Sequence, residues 1–215
     1  YSGKSSNDLT GCTRGASGST AATHSNGATA TDASDFGGWG VAVKADQVEL
    51  EPGLWSLDNF GQVLVATVAN GKTFTWNAGA TSATSNRAST STSNFSTSNN
   101  PTASRATLIS PTTRHLIHFG TETTIGTTST QDDMFIRFSD QEDINTFAPS
   151  AVNAAGTQRL QDGTKIIGAL KAKETILIWT DTALYTMKFI GAPFTFGFEQ
   201  VGTNCGLIGK NAAVE

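Results

Sequence analysis

The chain has 215 residues, 37% of them hydrophobic and 15% charged, with 14 Lys and Arg against 18 Asp and Glu for a formal net charge of -4. That is enough apolar mass to bury a core and too little positive charge for a surface built to neutralise nucleic-acid phosphates, so sequence-specific nucleic-acid binding is set aside. No apolar run approaches the roughly 18 residues a membrane helix needs, and no charged start leads into a signal-like stretch.

The first 35 residues are dominated by Gly, Ser, Thr, Ala and Asn and carry too little apolar mass for a core of their own. They are expected to form an extended arm or loop that orders against a neighbouring chain. The remainder, 36–215, is expected to form one β domain. Cys12 and Cys205 stand at opposite ends of the sequence, form neither a CxxC pair nor a disulfide framework, and are expected to be free thiols. Because Tyr1 opens the chain and an apolar stretch runs up to Glu215, a processed product or part of a longer polypeptide is also expected.

In "LVATVANGKTFTW" two apolar runs flank Asn70-Gly71. Asn-Gly favours a type I′ turn, in which both central residues take positive φ, so Leu64–Val68 and Thr73–Trp76 should pair antiparallel. The stretch 81–104, rich in Ser, Thr and Asn, has no helical period and reads as a surface loop or insertion. Beyond it, "HLIHFG", "MFIRFS", "KIIGAL", "ETILIWT" and "ALYTMKFI" are short, rich in Ile, Leu, Phe and Thr, and bounded by turn formers. Each predicts a strand. Their close spacing leaves almost no helical stretch, so the fold class is all-β, built of antiparallel hairpins rather than βαβ units.

A weak internal repeat bears on the architecture. "QVLVATVANGKTFTWNAGA" and "ETILIWTDTALYTMKFIGA" match Thr67 with Thr180, Phe74-Thr75-Trp76 with Tyr185-Thr186-Met187, and Gly79-Ala80 with Gly191-Ala192. A repeated sheet unit predicts a β-propeller-like array, in which each sheet buries its faces against its neighbours, while a sandwich of similar hairpins gives the same pattern.

Candidate chemical sites each have a plainer reading. His115 and His118 in "RHLIHF" are three residues apart, which on a strand sends them to opposite faces and away from a shared metal. Asp140, Glu142 and Asp143 in "SDQED" could serve acid/base chemistry or a hard cation, but they lack the spacing and Gly of a calcium loop and read as a turn capping the preceding strand. "GASGS" is not a nucleophile elbow, and "GCTRGASG" has neither a P-loop lysine nor a following helix. The Asn94-Phe95-Ser96 sequon is what such a composition produces by chance. Trp39, Trp55, Trp76 and Trp179 could form a carbohydrate platform, but they lie in or beside predicted strands and are expected to pack the core. No catalytic, cofactor or metal site is assigned.

The blocks "GLWSLDNFGQVLVATVANGKTFTWNAG", "RHLIHFG", "DDMFIRFSDQEDINTFAPSAVNAAGTQRLQDGTKIIGAL" and "ETILIWTDTALYTMKFIGAPFTFGFEQVGTNCGLIGKNAAV", from Leu54 to Val214, resemble in their order the packaged-DNA stabilisation or tail-hub proteins of short-tailed bacteriophages. Separately, "TGCTRGASGSTAATHSNGA", with Thr13-Arg14-Gly15 before Thr20-Ala21-Ala22 and His24, resembles a short element of phage tail proteins. The resemblance implies a non-enzymatic, propeller-like hub at the tail or head-to-tail junction of the virion. Such a protein is expected to join portal, adaptor or tail components, to be repeated as a homo-oligomer in the particle, and to help retain packaged DNA. It brings no catalytic set, and more propeller is expected beyond "NAAV". The polar insertion near 81–104 departs from a compact blade. The rivals are a glycan-binding or glycan-cleaving phage tail protein of propeller type, and a secreted adhesive β-domain.

Overall fold

A computed structural model describes residues 54–79, 88 and 99–214, together with the backbone of two short strands near the start of the chain. The chain divides into two compact units, Tyr1–Glu51 and Pro52–Glu215. In the first, β1 (Gly3–Ser5) and β2 (Asp8–Thr10) pair antiparallel, Lys4 opposite Leu9. The region expected to be an arm, residues 1–35, thus holds a strand pair; the rest of it, with Cys12 and the two Gly-rich motifs, lies outside the described residues, as do Trp39 and Asn94-Phe95-Ser96.

The second unit is all-β. Its described residues form three antiparallel sheets, each a meander whose strands follow in chain order. The first is β3 (Trp55–Phe60), β4 (Val63–Val68) and β5 (Thr73–Asn77). The second is β6 (Ser104–Ile109), β7 (Leu116–Thr121), β8 (Phe135–Phe138) and β9 (Gly156–Arg159). The third is β10 (Ile166–Lys171), β11 (Thr175–Thr180), β12 (Ala183–Gly191) and β13 (Thr195–Thr203). Among the described residues the sole helical turn is the 3-10 turn Thr128–Thr130, and no helix is long and apolar enough to cross a membrane.

All five runs predicted as strands form strands. The Asn70-Gly71 hairpin is present, but its turn is not type I′: Asn70 has φ 58° and Gly71 is not at positive φ. The physical reason is a tertiary tie. Gly71 N–H closes the turn on Val68 O at 3.0 Å, but Asn70 N–H donates to Ser104 O at 2.8 Å and Gly71 bridges Ser104, so the tip is also drawn onto the start of β6. Ser104 belongs to that strand, and Asn100, Pro101, Ala103 and Ser104 are all buried, so the stretch read as a loop to residue 104 enters the fold before it ends.

The second sheet lies between the other two, and strand alternation sorts its side chains into two cores. Ala106, Leu108, Ile117, Phe119, Ile136 and Phe138 pack with Ile176, Ile178, Tyr185, Met187 and Phe196 of the third sheet. On the opposite face, Ile109 and Leu116 pack with Val65 of the first sheet and with Ile144 and Phe147. The first strands of the meanders converge, β6 contacting both β3 and β10.

The first sheet is patterned against the usual sense. Toward the middle sheet it presents Thr67, Thr73 and Thr75, all buried. Their hydroxyls satisfy one another: Thr107 Oγ1 donates to Thr67 Oγ1 at 2.8 Å, and Thr67 and Thr73 share a bond of 2.7 Å. Away from the middle sheet it presents Trp55, Leu57, Leu64, Val68, Phe74 and Trp76, with Trp55 52% and Leu57 65% exposed. The expectation that the tryptophans pack the core therefore fails: Trp55 is exposed, Trp76 and Trp179 are half-buried, and Trp39 lies outside the described residues. Alternation placed them on strands; burial depended on which face met a neighbour.

Candidate functional site

Most polar groups flagged in the sequence turn out to hold the fold. His115 and His118 lie on opposite faces of the middle sheet. His115 sits among Phe138, Phe189 and Phe196, with ring centroids 6.3, 6.3 and 5.0 Å away, and its Nδ1 is 2.7 Å from Ser139 O. Burial lowers its pKa. His118 is fully buried toward the first sheet, 5.0 Å from Phe147, with Nδ1 2.7 Å from Ser104 Oγ. Burial, helped by the nearby Arg137 guanidinium, lowers its pKa to about 3, so it is neutral at ordinary pH. Desolvation and the neighbouring cation both favour the neutral imidazole.

Asp140, Glu142 and Asp143 do form a turn after β8, and each has a structural task. Asp140 Oδ1 accepts from Gln141 N and Ala154 N at 2.9 and 2.7 Å. Asp143 accepts from Asn145 N and Thr146 Oγ1, both at 2.7 Å. Glu142 pairs with Arg114 at 3.0 Å, and Arg114 in turn lies over the Phe60 ring at 4.4 Å. Among the described residues no group of three or more His, Cys, Asp and Glu side chains is placed to hold a metal ion. Cys205 is a free, exposed thiol.

Two charged groups, Glu122 and Arg137, are buried without any local signal in the sequence. Glu122 accepts from Thr102 N at 3.1 Å, from Thr102 Oγ1 and from Gly126 N at 2.7 Å. Arg137 donates to the Thr123, Glu122 and Phe147 carbonyls at 2.8 to 3.3 Å, and burial lowers its pKa. Both lie in strands or loops whose composition looks ordinary, and only the long-range contacts reveal that they are enclosed.

Among the described residues, two surface patches open to other molecules are apolar. One is the outward face of the first sheet, where the Trp55 and Phe74 rings lie 5.9 Å apart beside Leu57. The other is the β12–β13 hairpin, whose Phe189, Ile190 and Phe194 are 37%, 56% and 72% exposed. The internal repeat explains the first. Phe74 and Trp76 of β5 occupy the places that Tyr185 and Met187 occupy in β12, each on the third strand of its meander. In the third sheet those residues face the middle sheet and are buried. In the first sheet the same positions face outward, where no described sheet covers them.

Compared with known protein families and with curated protein sequences, the chain matches none.

Proposed function

We propose that this chain is a structural component of a bacteriophage particle, a tail or head-to-tail hub protein that works by docking to neighbouring virion proteins and helps retain packaged DNA. Its three meanders are read as consecutive blades of a propeller-like array. The equivalence of Phe74 and Trp76 with Tyr185 and Met187 carries this reading. It gives the first and third sheets the same facing sense, as expected if each sheet offers one face to the sheet before it and one to the sheet after it. A rigid stack with an apolar end face is suited to assembly rather than to turnover, because antiparallel sheets hold their faces stiffly while water is displaced from them.

The test is an averaged electron-microscopic image of the intact particle carrying a tag on this chain. The expected result is a three-sheet body near the tail axis, in symmetry-related copies, with its Trp55 face covered. Absence of the chain from purified particles would rule the reading out.

One observation favours a second reading, a propeller-type phage tail protein that binds glycans. Trp55 and Phe74 form an exposed aromatic pair, and such faces stack on sugar rings. Saturable binding on a glycan array that is lost in Trp55→Ala would establish this alternative.

A further inference from the structure

The first strands of the three meanders line a cleft of about 360 Å³ whose wall mixes apolar Trp55, Leu57 and Leu170 with polar Ser56 and Thr107, closed on one side by Lys210 and Asn211. Three charged groups reach it, and two of them neutralise each other. Asp58 Oδ2 is 2.6 Å from Lys171 Nζ, while the same carboxylate also accepts from Asn59 N and Ile109 N at 2.8 and 2.7 Å. The third is Lys210. Its ammonium donates to Trp55 O at 3.1 Å and Ser56 Oγ at 2.7 Å, and among the described residues it has no carboxylate partner. An ammonium has three N–H groups, so one is left for a ligand.

Lys210 is half-buried, and loss of hydration lowers its pKa. A cation drawn out of water onto neutral acceptors alone is held at a cost that an arriving anion removes. The cleft's net charge is one positive, from Lys171 and Lys210 against Asp58. One carboxylate matches that charge. A phosphate carrying two charges meets the Asp58 carboxylate in the same space, and a nucleic-acid backbone needs a row of cations that this cleft lacks. The lining divides between apolar groups, such as Trp55, Leu57 and Leu170, and polar ones, such as Ser56, Thr107 and Asn211, which suits an anion borne on a carrier of both kinds, as a peptide is.

We infer that the cleft between β3, β6 and β10 binds a peptide segment of a partner protein that carries one acidic side chain between apolar neighbours, the carboxylate pairing with Lys210. This inference rests on the cleft alone and stands whether or not the chain belongs to a particle.

The probes are acetyl-Leu-Glu-Leu-amide, its Gln counterpart and inorganic phosphate, followed by NMR of the backbone amides of Ser56 and Asn211 and of the Lys210 ammonium. The Glu peptide is expected to shift both amides saturably and to raise the Lys210 pKa toward that of an ordinary lysine. The Gln peptide and the Lys210→Met variant are each expected to bind about tenfold more weakly, the loss of one charge-assisted bond, while Lys210→Arg keeps its affinity. Equal binding of the Gln peptide, an unchanged affinity in Lys210→Met, a response to phosphate as strong as that to the Glu peptide, or no saturable shift in the wild-type protein would each overturn it. The lysine titration in the wild-type protein decides the matter even if Lys210→Met fails to fold.

Discussion

Asp58 and Lys171 stand 113 positions apart and meet at 2.6 Å, joining the first strand of the first sheet to the first strand of the third. The middle sheet enters the same junction, since Ile109 N–H donates to Asp58 Oδ2 at 2.7 Å. One carboxylate therefore ties all three meanders at the point where they converge. Partial exposure of Lys171 screens the ion pair, so most of the effect should come from the buried amide. Asp58→Ala is expected to destabilise the unit by about 1–3 kcal/mol, the range for leaving a buried donor without its acceptor. Lys171→Met should have less than half that effect. Urea denaturation of both variants checks the order.

The threonine chain between the first two sheets gives a second expectation. Thr67 Oγ1 sits between Thr107 and Thr73, at 2.8 and 2.7 Å. Thr67→Val preserves shape but leaves two buried hydroxyls short of a partner, a loss of about 1–3 kcal/mol. The triple change to Val at 67, 73 and 107 removes the orphans and should recover much of that loss. Thermal unfolding of the single and triple variants would measure it, and a triple variant less stable than the single would contradict the account.

His118 sets a pH dependence. Its folded pKa of about 3 lies below its ordinary value of 6.5, so between these limits the unfolded chain binds a proton that the folded chain does not. Stability from this group is complete above pH 6.5 and falls as the pH drops toward 3, by at most about 1.4 kcal/mol per pH unit. Below pH 3 both states are protonated and the loss stops growing. Denaturant midpoints measured from pH 7 to 4 should fall more steeply in the wild-type protein than in His118→Gln, which carries no titrating group there.

Gly206 marks a place where backbone meets backbone. A Cβ built there would lie 1.9 Å from Asp181 O, far inside contact distance. Neighbouring residues hold the segment in place, with Cys205 N–H donating to Thr182 O at 3.0 Å and Leu207 N–H to Thr180 O at 3.1 Å. Gly206→Ala should therefore cost about 1–3 kcal/mol through forced displacement. Gly209, with nothing within 4 Å of its Cβ position, is the control, and its Ala variant should melt within a degree or two of wild type.

The outward face of the first sheet carries the last expectation. Leu57→Ser removes an apolar side chain that is already 65% exposed, so it should change stability by no more than about 0.5 kcal/mol. It should nevertheless reduce binding of a hydrophobic dye and weaken association through that face. Dye fluorescence and sedimentation at matched concentrations read both effects.

Strands were legible where β-branched and aromatic residues ran together, as in β7, β11 and β12. They were not legible in β6, "SRATLI", or β9, "GTQR", whose residues take the extended form because a neighbouring strand pairs with them. The gain there is cross-strand and appears in no single window. β13 was hidden in the same way by the glycines that interrupt it. The cleft holding Lys210 was equally hidden, since Trp55, Asp58, Lys171 and Lys210 are brought together only when three distant segments converge.

By itself the sequence determined the class: alternating apolar runs separated by turn formers make antiparallel meanders, because period-two patterning and turn chemistry are local properties. Only the tertiary structure decided which face of each meander was buried. The same repeat encloses Tyr185 and Met187 and leaves Phe74 and Trp76 outward, since a strand's alternation defines two faces but hydrophobic burial requires a neighbour to cover one of them.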